Sequence, residues 1–446
     1  MLKRIATSLW GKFESKEEVL KFTLLAIIFS LIIGTYWTLR PIKDSIFGAI
    51  VGFKQWQPVA KWLSVCVSVP LVIFYSKLVD KFPRHKVFYM ITGTYAVVAL
   101  IIAWYLMSPT TGISSPLAPS PYRIIGWVWY IFVESFGSLI VALFWAITSD
   151  ITKPDAARRG FPIIAMFGQL GNVFGPYFLN TKNLGLSDSA PIVVICAGMI
   201  VMIGILMWIF MRVTPKSQLV GYEEEGIIEK EEEAGFLEGL KLLVSRGYLM
   251  GIFAIVSIYE IIVTVFDYLF KSILTDTFPT EALRSAELSK FAYTTGIVSA
   301  LCVLFGINNI QRKLGLKASL ILLPLLVAVA MVMMKLNPGS LAIAFWVMVF
   351  AKAVNYALNQ PTLKQLYIPT SKDAKYKSQS WIEMFGGRSA KGIGSGVNFL
   401  NRFMTLELFL TSVTLISFGL VTGWIFIALY VSKLYSKAIK EKTVVC

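Results

Sequence analysis

The chain has 446 residues, of which 56% are hydrophobic and 15% are charged, and its net charge is +16 at pH 7. An ordinary soluble domain carries about 25% charged residues, so this composition excludes a typical cytosolic enzyme, a disordered chain and a disulfide scaffold. It favours a polytopic membrane protein. In such a protein an excess of Lys and Arg over Asp and Glu first indicates topology, because cytoplasmic loops are rich in Lys and Arg.

Apolar runs of about 20 residues are long enough to cross the ~30 Å hydrocarbon core of a bilayer. The chain contains twelve such runs, at 19–39, 58–78, 87–107, 124–149, 159–179, 190–213, 247–273, 289–309, 316–336, 340–360, 379–402 and 409–431. The fifth and the eleventh are polar and Gly-rich. The sequence therefore predicts an all-α membrane protein with twelve transmembrane helices in two six-helix bundles.

Polar segments divide the chain into five parts. The predicted parts are an N-terminal arm at 1–18, a first bundle at 19–213, an acidic linker at 214–246, a second bundle at 247–431 and a tail at 432–446. We interpret the linker as a solvated connection that lets the two bundles move. A regulatory role for its acidic run is the alternative.

Lys and Arg cluster in the even-numbered connections between the predicted spans, whereas the odd-numbered connections are poor in both. The 108–121 loop carries no charge at all. Because loops rich in Lys and Arg stay on the cytoplasmic side, we expect both termini to be cytoplasmic.

Metal and thiol chemistry find no support in the residue pattern. The four cysteines, Cys66, Cys196, Cys302 and Cys446, form no C-x-x-C pair, and His85 is the single histidine. Since one histidine cannot make a metal cluster, the sequence argues against zinc, iron–sulfur and thiol catalysis. We predict no metal and no cofactor, and we assign no catalytic residue.

An internal repeat relates the two bundles. The segment TKPDAARRGFPIIAMFG from Thr152 aligns without a gap with TSKDAKYKSQSWIEMFG from Thr370, at an offset of 218 residues. The loop VDKFPRHK (79–86) resembles the D-R-x-G-R-R type loop of the major facilitator superfamily, from which Lys81 and Pro83 depart. Two parallel six-helix repeats are the architecture of that superfamily, whose binding sites lie near the bilayer midplane between the halves. The predicted fold is therefore major-facilitator-like.

Charged residues in or next to the apolar spans are few. A charge at the centre of a span costs about 2.5–3.5 kcal/mol on insertion scales, so it is expected to face a cavity, find a partner or act on a substrate. The candidates are Arg40, Lys43, Asp44, Glu134, Glu260, Asp267, Lys271, Lys352, Glu383, Arg388 and Lys391.

Spacing suggests two pairings among these charges. Asp267 and Lys271 are one helical turn apart, and an ion pair within the helix is the ordinary interpretation. Glu134 and Lys352 are separated by the repeat offset, so equivalent places in the two bundles carry opposite charge. We expect them either to pair across the interface as a gate or, for Lys352, to snorkel.

Cations occur in both bundles, as Arg40 and Lys43 in the first and Arg388 and Lys391 in the second. Converging on a cavity, they would suit a polyphosphate, with Arg as a bidentate clamp and Lys as a point charge. Plain interface anchoring is the alternative. The segment GGRSAKGIGSG (386–396) lacks the spacing of a Walker A loop, so its glycines indicate close helix packing.

Five motifs resemble the ATP/ADP translocases of intracellular bacteria and plastids: LRPIKD (39–44), VESFGS…LFW (133–145), FGQLGN (167–172), NQPTLKQLYIPTSKDAKYKSQSWIEMFG (359–386) and RSAKGIGS (388–395). The resemblance implies that lysines hold phosphates and that glutamates serve binding or gating. It places the family's functional residues on Lys43, Glu134, Glu260, Lys391 and Asn172. The charge pattern adds Arg40 and Arg388 to Lys43 and Lys391 as candidate phosphate contacts, and it adds Lys352 and Glu383 to Glu134, Glu260 and Asn172 as candidates for binding or gating.

The same resemblance implies a transporter, not an enzyme, which exchanges ATP for ADP with phosphate by alternating access. It implies a bacterial inner membrane, nucleotide and lipid as partners, no nucleic acid, and a monomer. Two alternatives stay open. A proton-coupled symporter of nucleoside triphosphates or NAD would titrate Glu134 or Glu260, and a multipass transferase would use a nucleotide donor.

Overall fold

A computed structural model describes residues 13–219, 236–304, 308–371, 381–382 and 386–445. The secondary structure within these ranges consists of helices joined by turns and loops. Glu383, the acidic run of the linker and most of the second repeat segment lie outside the described residues. The main helices are α1 Lys16–Ile50, α2 Phe53–Lys81, α3 Arg84–Leu106, α4 Ile124–Asp150, α5 Pro154–Phe178, α6 Ala190–Val213, α7 Gly247–Thr277, α8 Glu281–Leu304, α9 Asn308–Leu336, α10 Leu341–Leu366, α11 Gly387–Phe399 and α12 Leu406–Glu441.

Shorter elements lie between them: the helices Thr181–Leu184 and Phe236–Ser245, and single 3₁₀ turns at Lys216–Gln218 and Leu400–Phe403. Helix α9 bends at Gly315, whose φ is +81°. Helix α10 contains a π-helical segment at Asn355–Asn359.

Nine of the helices in the described part of the chain are long and apolar enough to cross a membrane. The three main helices that fall short are α5, α8 and α11. Glycine and polar residues lower the hydropathy of α5, and α11 has only 13 residues. Helix α8 begins with the polar stretch EALRSAELSK (281–290).

Helix α1 extends further than hydropathy alone predicts. Ser15 caps its start, because the hydroxyl of Ser15 accepts a 3.0 Å hydrogen bond from the amide of Glu18. The apolar run ends at residue 39, yet the helix continues through Pro41 to Ile50. A proline interrupts the hydrogen-bond ladder without forcing the helix to end. The charges of LRPIKD are therefore helical residues rather than loop residues.

The described chain divides into two compact units. One contains residues 13–219 together with Phe278–Tyr293, and the other contains residues 236–277 and 294–445. Sequence alone assigns Phe278–Tyr293 to the second bundle. The segment packs with the first because buried Glu281 accepts hydrogen bonds from Ser45 and Ser189.

The packing pattern of the first unit recurs in the second, six helices later. In the first unit α1 packs against α4, α5 and α6, and α3 packs against α6. In the second, α7 packs against α10, α11 and α12, and α9 packs against α12. This recurrence within each unit is what a duplicated six-helix repeat produces.

Large side chains fill the interior of each unit. Trp129, Phe136 and Phe144 of α4 are fully buried in the first, and Trp424 and Phe270 are fully buried in the second. Other apolar side chains, such as those of Trp104 and Phe426, point outward. Lipid covers such a surface, so it carries no cost in a membrane protein.

Candidate functional site

An ion pair between α1 and α4 forms the centre of the charged cluster in the first unit. The ammonium group of Lys43 contacts the carboxylate of Glu134. The side chain of Lys43 is 3% exposed, whereas that of Glu134 is 32% exposed. Glu134 therefore neutralises the charge of a buried lysine, and part of the Glu134 side chain remains accessible to solvent. Breaking such a pair leaves a buried charge uncompensated, which is strongly unfavourable.

Both cationic side chains of α1 lie close to an aromatic ring. The ammonium group of Lys43 lies 4.1 Å from the ring centroid of Tyr130. The guanidinium of Arg40 lies 4.8 Å from the ring centroid of Trp37, one turn earlier on the same helix. A ring face attracts a cation electrostatically, most strongly where water is excluded. The hydroxyl of Tyr130 also accepts a long, 3.5 Å hydrogen bond from Gln57 of α2.

Lys61 of α2 is a member of this cluster that sequence analysis missed. It lies close enough to Glu134 to act on its charge, as Arg40 does. The signal was a lysine four residues inside the second apolar run, in QPVAKWL (57–63). Together with Asp44, which lies 3.9 Å from Lys43, three cations face two carboxylates.

Lys391 and Glu260 form the corresponding pair of the second unit. The ammonium group of Lys391 on α11 lies 3.6 Å from the carboxylate of Glu260 on α7. This separation is longer than a hydrogen bond, and the two side chains are 41% and 20% exposed. The pair is therefore looser and more accessible than that of Lys43 and Glu134. Arg388 lies one turn before Lys391 and is partly buried.

Asp267 holds two lysines at once. One carboxylate oxygen accepts a 2.8 Å hydrogen bond from Lys352 of α10, and the other accepts from Lys271 of its own helix. The predicted Asp267–Lys271 pair is thus confirmed, and Lys352 joins it. The expected pairing of Lys352 with Glu134 would join the two units and stays a prediction.

Close helix contacts set the position of these clusters. A side-chain carbon on Gly171 of α5 would lie 3.0 Å from the backbone nitrogen of Gly34 on α1, and one on Gly394 of α11 would lie 2.8 Å from the carbonyl oxygen of Ile261 on α7. Small residues let helices approach in this way. Asn172, next to Gly171, is buried and donates a 3.4 Å hydrogen bond to Gln169.

In each unit a lysine and a glutamate from two neighbouring helices face each other, and further cations surround them. The sequence profile of the TLC ATP/ADP transporter family matches residues 2–119 and 122–435. The chain belongs to the TLC ATP/ADP transporter family. As a member of the TLC family it is a multi-pass membrane transporter of nucleotides and not an enzyme.

Two known carrier proteins resemble the chain over most of its length. The ADP,ATP carrier protein 1 of Rickettsia typhi is 26% identical over 430 residues, which cover 85% of this chain and 85% of the relative. The chloroplastic ADP,ATP carrier protein 2 of Arabidopsis thaliana is 25% identical over 460 residues, covering 91% of this chain and 73% of the relative.

Solved structures support the fold of this TLC family member. The nucleoside transporter NupG superposes with a TM-score of 0.65 over 93% of this chain and 99% of its own, at 14% identity. At that identity the likeness concerns the fold alone. The predicted all-helical, major-facilitator-like membrane fold is thereby confirmed.

Proposed function

We propose that the chain exchanges ATP for ADP, together with phosphate, by alternating access in a bacterial cell membrane, with both termini cytoplasmic and the monomer as the working unit. The observation that carries the proposal is the pair of lysine–glutamate contacts, Lys43 with Glu134 and Lys391 with Glu260. The relatives from Rickettsia and Arabidopsis are named ADP,ATP carrier proteins, which supports this choice of substrates.

Lysine and arginine supply the phosphate contacts in this proposal. Lys43 and Lys391 act as point charges, and Arg40 and Arg388 contribute the planar fork that matches two phosphate oxygens. The two lysines differ in exposure, 3% against 41%. Lys391 is therefore open to a phosphate group in the empty protein, whereas a phosphate group gains Lys43 only by displacing Glu134.

Glutamate partners make reversible binding possible. Without a partner, a buried lysine would bind a phosphate too tightly to release it or would lose its proton. Glu134 and Glu260 hold the lysines while the site is empty, and phosphate oxygens replace the carboxylates when nucleotide binds. Asn172 and Glu383 have binding or gating roles in this scheme.

We attribute exchange to the cations of the empty site. Arg40, Lys43 and Lys61 all act on the charge of Glu134. An empty carrier must close around these cations alone, whereas a loaded carrier closes around cations that a bound anion neutralises. The return step is accordingly slow without an anion.

A proton-coupled nucleotide symporter is the second candidate, and one observation favours it. The 3.6 Å separation of Lys391 and Glu260 is longer than a hydrogen bond, and both side chains reach solvent. In this variant Glu260 carries the coupled proton.

Transport into liposomes tests these alternatives. We expect the purified protein to accumulate labelled ATP rapidly in liposomes loaded with ADP and slowly in empty liposomes. Uptake into empty liposomes that is equally fast, or that an imposed proton gradient drives, would overturn exchange and favour symport. Release of a transferred nucleotide fragment from ATP would instead indicate a transferase.

A further inference from the structure

Two lysines in the second unit converge on one carboxylate outside the lysine–glutamate pair. Lys352 on α10 donates to one oxygen of Asp267, and Lys271 on α7 donates to the other. All three side chains are 12–14% exposed, so the cluster is largely buried yet reachable. The function proposed above leaves Asp267 and Lys271 without a task.

The arrangement of these three groups resembles a cradle for an oxyanion. Two ammonium groups from neighbouring helices each direct a proton at a separate oxygen of the same acceptor. A phosphoryl group presents pairs of oxygens with a spacing similar to that of a carboxylate, and it carries more charge. Lysine binds such groups as a compact point charge. Asp267 therefore occupies the place that a phosphate would take.

The position along α7 separates this cluster from Glu260. Asp267 follows Glu260 by seven residues on the same helix face, which corresponds to about 10 Å at 1.5 Å per residue. The Glu260–Lys391 pair and the cluster of Asp267 with Lys271 and Lys352 therefore lie at two separate positions along α7.

A distortion of the backbone follows Lys352 directly. The π-helical segment Asn355–Asn359 begins three residues after it and widens α10 for one turn. Isolated π turns occur frequently at functional sites. The buried amides of Asn355 and Asn359 bond to each other across this turn at 2.8 Å. This turn of α10 therefore departs from regular α-helical geometry next to Lys352.

We propose that Lys271 and Lys352 form a second anion subsite, which takes a single phosphoryl group in exchange for Asp267. The proposal rests on the proposed nucleotide exchange for its biological meaning, because exchange of ATP for ADP with phosphate requires places for two anions. The group is either free orthophosphate or the terminal phosphate of ATP. Asp267 acts as the resident anion that holds both lysines while the subsite is empty.

Binding of three labelled anions to the purified full-length protein tests the subsite: orthophosphate, ADP and ATP. Loss of one charged hydrogen bond corresponds to about a tenfold or larger loss of affinity. We expect Lys271→Gln and Lys352→Gln each to weaken binding of orthophosphate by about that factor and to leave ADP binding nearly unchanged. If the group is the terminal phosphate, the same loss affects ATP but neither ADP nor orthophosphate.

Asp267→Asn should change the affinity for the anion in the opposite direction. It removes the competing carboxylate, so binding of the same anion should become several-fold tighter. Lys335→Gln is the matched control, since Lys335 lies on α9 and donates to Thr411, away from this cluster. Its anion affinities should equal those of the wild type.

A lysine variant that fails to fold is replaced by its double variant with Asp267→Asn, in which positions 267, 271 and 352 together carry the same net charge as in the wild type. The double variant should lose the gain that Asp267→Asn produces. Unchanged binding of all three anions, or equal losses for all three, would overturn the subsite. A wild-type protein that binds orthophosphate but neither nucleotide would instead contradict the proposed function and leave the subsite supported.

Discussion

Glu134 of α4 contacts the ammonium group of Lys43 on α1, and Tyr130, one turn earlier on α4, lies 4.1 Å from the same ammonium group. The lysine is thus held by a charge and by a ring face, both from one helix. Since 91 residues separate Lys43 from Glu134 along the chain, only the packing of α1 on α4 brings the three groups together.

Replacing Lys43 by alanine should weaken ATP binding without unfolding the protein. A hydrogen bond between charged groups contributes about 1.5–3 kcal/mol, which corresponds to a loss of about 10- to 100-fold in affinity. The fold should persist because Glu134 is 32% exposed and keeps Arg40 and Lys61 nearby. Equilibrium binding of labelled ATP measures the effect, and size-exclusion profiles report folding. Normal ATP affinity in a folded Lys43→Ala protein would remove Lys43 from the site.

Glu260→Gln should impair transport more than it impairs expression. The change removes the charge that holds Lys391 in the empty site and preserves the shape of the side chain. We expect the exchange rate in liposomes to fall about tenfold or more, as for other charge-assisted contacts. Lys335→Gln, in the same unit, should retain wild-type rates. Equal losses of expression and of transport would indicate a structural role only.

Lys61→Gln should reduce ATP affinity less than Lys43→Ala does. Lys61 acts on the charge of Glu134 and is partly exposed, and salt screens interactions between charges that reach solvent. We expect a loss of a few-fold at low ionic strength that diminishes as salt is added. A loss that does not depend on salt would place Lys61 in direct contact with nucleotide.

Gly171→Val should destabilise the first unit. A side-chain carbon at this position would approach the backbone nitrogen of Gly34 to 3.0 Å, and it would also clash with the carbonyl of Ser30. Overpacking of this kind costs about 1–3 kcal/mol. Gly198→Ala is the matched control, because no atom lies within 4 Å of a side-chain carbon there. Thermal unfolding in detergent should show a lower midpoint for the valine variant alone.

Burial raises the pKa of the Glu281 carboxyl above its usual value of 4.5, and hydrogen bonds from Ser45 and Ser189 oppose the shift in part. The folded chain therefore binds this proton more readily than the unfolded chain does. The free energy of unfolding should fall as pH rises from 4.5 through the raised pKa. Glu281→Gln should flatten this part of the curve of unfolding temperature against pH.

Ser45→Ala gives an independent check on the Glu281 titration. It removes the 2.6 Å hydrogen bond from Ser45 to the carboxylate, so it should extend the pH-dependent range to higher pH. Identical curves for the wild type, Glu281→Gln and Ser45→Ala would show that another group causes the dependence.

Much of the membrane architecture follows from the sequence. Apolar runs place helices α1 to α4 and α6 close to where they occur, because hydropathy is a property of consecutive residues. Boundaries are less well determined. Hydropathy ends the first span at residue 39, but the helix continues through Pro41 to Ile50. The hydrogen bonds of the helix backbone continue beyond the end of the apolar run, so Arg40 and Lys43 lie within the helix.

The candidate site was only partly visible in the sequence. Because a charge inside a membrane span is costly, the sequence indicates that Lys43, Glu134, Glu260 and Lys391 have a binding or structural role. It does not predict which residues they contact. Lys61 was missed because a lysine near the start of a span resembles an ordinary interfacial anchor.

The sequence by itself determined that the chain is a helical membrane protein with cations in both halves, and its motifs pointed to the family. Tertiary structure decided which charges meet. Lys352 contacts Asp267, and Lys43 contacts Glu134. Such contacts depend on how each helix is rotated and how closely it packs, as at Gly171 against Gly34. Rotation and separation of helices arise from contacts between distant segments, so no local pattern of residues encodes them.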